Sequence, residues 1–154
     1  MMNDNFIIPN WPAPKNIKAI QTTRNGGISL EKFSSLNFAS NVGDIEAHVK
    51  DNKKKLLNSL PSNPFWLNQI HSNKSEELPS ISDLNCDASY TYDKKIVCVV
   101  RTADCLPIFL TNSKGTFVAL IHAGWKGLLN GIVEKTIGKI NSSSEIIVWL
   151  GPCI

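Results

Sequence analysis

Only two of the sixteen basic residues are arginine, and the chain holds three histidines, four cysteines and two methionines, both methionines at the N-terminus. Each scarcity excludes something. A blue-copper centre takes two His and a Cys, commonly with an axial Met, and a coupled copper cluster needs several further imidazoles; three histidines cannot furnish both. Copper is therefore disfavoured as a cofactor. The cysteines, Cys86, Cys98, Cys105 and Cys153, include no C-x-x-C pair and follow no export leader, so a disulfide framework is not expected. No run approaches the ~18 apolar residues that cross a bilayer. The opening MMNDNFIIPNWP lacks a basic segment followed by an apolar one, and the chain is expected in the cytoplasm. Gly-rich phosphate loops, a G-x-S-x-G elbow and the H-x-E with P-C-x-x-C of zinc nucleobase deaminases are all missing. A net charge of +3, with 19% charged residues, is too mild to argue for nucleic acid or a membrane surface as partner.

What is present suffices for one packed domain over residues 1–154. At 154 residues and 42% apolar, a chain buries about 70% of its unfolded surface. Apolar alternation predicts strands at Ile17 to Arg24, Pro64 to Ser72 and Ile96 to Val100. Two further strands flank a Ser-Lys-Gly turn, the second being Thr116 to Ala123, and Glu145 to Leu150 reads as a core strand. Cys86 to Tyr92 is a weak strand or turn. Helical spacing predicts Glu46 to Leu60, with Asp44 as N-cap and Pro61 closing it, and Leu128 to Ile140 with one buried face. Ser72 to Asn85, polar and carrying Pro79, reads as a surface loop. The expected class is α/β, a mixed sheet with flanking helices.

Strand ends are where a rigid sheet presents side chains to a site. His71 and His122 fall at predicted strand ends, and Cys105 lies where RTADC gives way to an apolar run. Together they could form a Cys-His-His zinc site with the fourth position open, as in catalytic zinc centres. The plainer alternative is a buried thiol and two hydrogen-bonded histidines. His48, inside the basic helix, reads as a solvated histidine. Because lysine is used wherever a solvated cation will do, Arg24 and Arg101 stand out as candidates for bidentate anion recognition. Ordinary surface arginines are the competing reading.

At TTRNGGIS, SSLNFASNVGD, LNQIHS, CDASYT, RTADCLPIFL, HAGWKGLLNGI and GPCI, in that order, the chain resembles the YfiH-type family. That family is also labelled the multicopper polyphenol oxidase or laccase-domain family, and its members are described as purine nucleoside phosphorylases. The resemblance runs from about Ile17 onward. It implies an α/β fold with zinc held by His71, Cys105 and His122, and a substrate contact from Arg24. It further implies phosphorolysis of adenosine, inosine and methylthioadenosine, with purine nucleoside and phosphate as partners and adenosine deamination as a second reaction. A homodimer is an open assembly. Members run on past GPCI, so the chain is expected to match the N-terminal two thirds of such a domain, with apolar surface left exposed. Two other readings stay open: a Cys105–His122 nucleophilic hydrolase that edits peptidoglycan precursors, and an inactive fragment.

Overall fold

The structure, a computed structural model, describes residues 6–80 and 83–154. The first five residues of the opening segment, and Ile81 and Ser82 of the polar 72–85 stretch, lie outside the described residues. Contacts divide the chain into two compact units, one of residues up to Pro9 with Ile20–Asn63, the other of Asn10–Ala19 with Pro64–Ile154.

In the first unit, β1 (Phe6–Ile7) pairs antiparallel with β2 (Gln21–Thr22). The strand expected over Ile17 to Arg24 is therefore only two residues long. Its ends are drawn into other bonds: the Ile17 N–H turns back to Pro14, and the Arg24 carbonyl accepts from the Ser35 and Leu36 N–H groups. Helix α1 spans Glu46–Leu57, and its N-cap is Ile45, not Asp44. The Asp44 carboxylate instead accepts from the Ile45 N–H, the Ser29 hydroxyl and the Asn37 amide, tying the preceding loop together. Asn52, fully buried on α1, donates to Ser29, Ser35 and Asn37 and accepts from the Ile28 N–H. One side chain thus satisfies four groups of the segment that flanks a short 3-10 turn at Glu31–Phe33. His48 is half-buried, with a buried Nδ1 that has no hydrogen-bond partner, contrary to the solvated reading.

The second unit is built on a five-stranded mixed sheet in the order β4-β5-β8-β7-β9. Its strands are β4 (Ser75–Glu77), β5 (Ala88–Thr91), β7 (Leu106–Asn112), β8 (Val118–Ala123) and β9 (Ile146–Leu150). Only β4–β5 is parallel. A separate parallel pair joins β3 (Phe65–Trp66) to β6 (Cys98–Val99). Period-2 alternation sends Ala88, Tyr90, Ile108, Leu110, Ala119, Ile121 and Ala123 to one face, where they form the core with Phe117, Ile132 and Ile140. The other face receives Asp87 and His122.

Four further expectations need correction. Strand β4 lies inside the predicted loop; its SEE sequence carries no apolar alternation, and it is held by backbone pairing to β5. Strand β3 stops at Trp66, so His71 does not end a strand; beyond Trp66 the backbone leaves the ladder, and the Asn68 N–H bonds to Leu84. The single helix over 128–140 is two: α2 (Trp125–Leu129) and α3 (Ile132–Lys139), separated at Gly131, whose φ of +76° no helix continues. That break turns Leu128 and Leu129 outward while Ile132 is fully buried. Finally, β9 is an edge strand with Val148 and Leu150 exposed. Among the described residues no helix is long and apolar enough to cross a membrane.

Candidate metal centre

The β7–β8 register fixes two side chains. Leu106 lies opposite Ala123 and Pro107 opposite His122, so Cys105, one residue before β7, comes to the same end of the hairpin as His122. His71 arrives from the 70–72 loop. One ligand atom from each of His71, Cys105 and His122 lies within 4.8 Å of the other two. Cys105 Sγ is 3.9 Å from His71 Nε2, and the two imidazoles meet edge to face with ring centroids 4.8 Å apart. Exposure falls across the set: His71 is exposed, Cys105 half-buried and His122 buried. The cluster is therefore reachable from one side and walled on the other.

Asp87 anchors the walled side. It stands one residue before β5, where Ala88 lies opposite Ile121, and the His122 backbone N–H donates to the Asp87 carbonyl at 2.7 Å. The carboxylate lies 2.8 Å from His122 Nδ1 through Oδ1 and is fully buried. It also accepts from the backbone N–H groups of Ile70 at 3.3 Å, His71 at 3.0 Å and Ser72 at 2.6 Å, and from the Ser72 hydroxyl at 2.8 Å. Burial alone would raise its pKa, but the bonds from His122, Ser72 and Ile70 outweigh it and hold the carboxyl at about 2. His71 has φ of +57°, the left-handed region, where a non-glycine residue is uncommon. The bond from its N–H to Asp87 holds it there.

Gly124 completes the pocket. A Cβ built on it would meet His71 Cδ2 at 3.0 Å and Cys105 Sγ at 3.1 Å. A close approach to two ligands thus requires the missing side chain. Burial, then Asp104 and Asp87, push the Cys105 thiol pKa up. In the absence of a cation this thiol is no stabilised thiolate; two imidazoles and a sulfur converging within 4.8 Å are instead a donor set suited to a borderline-soft divalent metal. Cys86 and Cys98 are pushed up to about 11 and about 12 by burial and lie outside the cluster.

The arginines part company. Arg101 sits in the second unit, where its Nη2 donates to the Leu67 carbonyl at 2.8 Å and its backbone is clamped on both sides by the Gln69 amide. It is a strut of the LNQIHS segment, and its candidacy as an anion clamp lapses. Arg24 belongs to the first unit, is exposed, and donates from Nε to the Ser34 carbonyl at 2.7 Å. Sequence reasoning assigned no role to Asp87 or Gly124. The available signal was a carboxylate heading a predicted strand, and a glycine two residues after a candidate ligand.

Residues 18–154 match the family model described as multi-copper polyphenol oxidoreductase laccase. The chain is 43% identical over 154 residues to the purine nucleoside phosphorylase YfiH of Escherichia coli, with 97% of this chain and 63% of that protein covered. It is 46% identical over 152 residues to a purine nucleoside phosphorylase of Haemophilus influenzae, covering 96% and 62%. The fold is similar to a solved Neisseria meningitidis protein of the DUF152 family, with a TM-score of 0.88 and 39% identity, over 97% of this chain and 63% of that one. YlmD from Geobacillus stearothermophilus superposes with a TM-score of 0.80 at 27% identity, over 97% and 65%. The chain thus spans just under two thirds of the length of these relatives.

Proposed function

The chain belongs to the multi-copper polyphenol oxidoreductase laccase family, and from that premise we propose that it carries the metal-binding portion of a zinc-dependent purine nucleoside phosphorylase. The observation that carries the reading is the conjunction of a His71–Cys105–His122 donor cluster with relatives that bear that enzyme's name. A zinc ion held by these residues would supply Lewis acidity and bring the pKa of a bound water to about 7.

In phosphorolysis a phosphate oxygen bonds to C1′ of the nucleoside as the C1′–N9 bond breaks. The purine leaves with the electron pair and takes up a proton. Arg24 is assigned to phosphate, because a planar guanidinium matches two phosphate oxygens at once. Adenosine, inosine and methylthioadenosine are the assigned substrates, with adenosine deamination as a second reaction at the same centre. Four free cysteines suit a reducing compartment, the cytoplasm. A nucleophilic hydrolase needs a ready thiolate at Cys105, which burial and two neighbouring carboxylates disfavour.

The reading is tested by incubating the purified chain, and a chimera completed with the C-terminal segment of the Haemophilus relative, with inosine and phosphate. Phosphate-dependent release of hypoxanthine and ribose 1-phosphate, lost with a chelator and restored by zinc, is expected of the chimera. Zinc-loaded chimera that releases no base would overturn it.

A further inference from the structure

Four N–H and O–H donors and one imidazole nitrogen converge on the Asp87 carboxylate. Oδ1 takes the His71 N–H and His122 Nδ1; Oδ2 takes the Ile70 N–H, the Ser72 N–H and the Ser72 hydroxyl. An ionised carboxylate only accepts hydrogen bonds, so His122 Nδ1 must carry a proton, and in the neutral ring Nε2 is then left with its lone pair. The same oxygens grip the loop that presents His71, a residue whose left-handed backbone needs an external hold. The two imidazoles belong to different elements, β8 and the 70–72 loop, and meet through this one buried group.

We propose that Asp87 is the positioning residue of the centre, fixing the tautomer of His122 and the backbone placement of His71 together, so that the His122 lone pair and the His71 ring are in place before the metal arrives. This rests on the metal-centre reading above. Asparagine is nearly isosteric with Asp87 but cannot replace it. Its NH2 would have to point either at the Ser72 and Ile70 donors or at the His71 and His122 donors, so a donor–donor clash follows in both orientations.

The test uses the full 154-residue chain. Zinc affinity is measured by competition with a chromophoric chelator for wild type, Asp87→Asn and Ser72→Ala, beside far-UV circular dichroism. Long-range 1H–15N correlations on the metal-free wild type read the tautomer of His122. A folded Asp87→Asn should bind zinc about 10- to 100-fold more weakly, with Ser72→Ala, which removes the hydroxyl donor, falling between. The metal-free wild type should show His122 protonated on Nδ1. Unchanged zinc affinity in folded Asp87→Asn, or an Nε2–H His122, would overturn the proposal. Should Asp87→Asn fail to fold, Ser72→Ala and the tautomer decide. Should wild type bind no zinc, the metal-centre reading falls, while the tautomer still decides whether Asp87 orients His122.

Discussion

Gly124→Ala separates the needs of the backbone from those of the ligands. Gly124 has φ of −70° and ψ of 162°, extended backbone that alanine adopts freely. Through the unfolded state alone, the substitution should stabilise the metal-free chain by about 0.4–1 kcal/mol. The added Cβ, however, lands 3.0 Å from His71 Cδ2 and 3.1 Å from Cys105 Sγ. Both side chains must yield by a few tenths of an ångström, whereas metal–ligand distances are held to about ±0.2 Å. Two of three ligands are thereby displaced beyond tolerance. If each displacement costs about 1.4 kcal/mol, a factor of ten, zinc binding weakens by about 10- to 100-fold. Chelator competition gives the affinity, and thermal unfolding with and without EDTA gives the two stabilities. The metal-free variant should melt close to wild type, the shift of the two side chains offsetting the unfolded-state gain, and zinc should raise its melting temperature less. An affinity within about twofold of wild type would show that the space beside Gly124 is not where the metal sits, and the reasoning would fail.

Single alanine substitutions of His71, Cys105 or His122 should each remove most bound zinc, as measured by elemental analysis, because Cys86 and Cys98 lie outside the donor cluster. Arg24→Lys should raise the KM for phosphate in the completed chimera while leaving zinc content unchanged, since lysine keeps charge and loses the fork; an unchanged phosphate dependence would return Arg24 to a purely structural role at Ser34. Asp87 is held at about 2 against an ordinary 3.8. Its stabilising contribution is therefore complete above about pH 4 and lost as pH falls through about 2, so acid titration of metal-free wild type should show a loss of stability in that window that Asp87→Asn lacks. Val148→Lys in the β9 edge should reduce concentration-dependent association, read by analytical ultracentrifugation, because a charge at an unpaired edge opposes strand addition.

The hairpin of β7 and β8 was legible because two apolar runs flank an unambiguous turn, and the three ligand candidates follow from the scarcity of His and Cys. The helix after GWKG was misread because apolar spacing at 128, 129, 132 and 133 continues a helical period through Gly131, and periodicity carries no information about φ. Strand β4 was invisible for the opposite reason: Ser75, Glu76 and Glu77 have no pattern of their own and form a strand only because β5 lies beside them. Asp87 escaped because its role depends on five partners from two distant places in the chain, residues 70–72 and His122. The strand at Ile146–Leu150 read as core because a sheet's edge and its centre share the same composition.

Cys105 and His122 lie on one hairpin, seventeen residues apart, whereas His71 is separated from Cys105 by 34 residues and Asp87 from His122 by 35. A hairpin closes in about 1–10 μs, and the more distant pairings are slower. During refolding the chain therefore owns a two-donor half-site before it owns the complete one. Zinc present from the outset would meet the Cys105–His122 pair before His71 arrives; zinc added afterwards would meet all three donors together. The two orders of addition should then reach the same equilibrium at different rates.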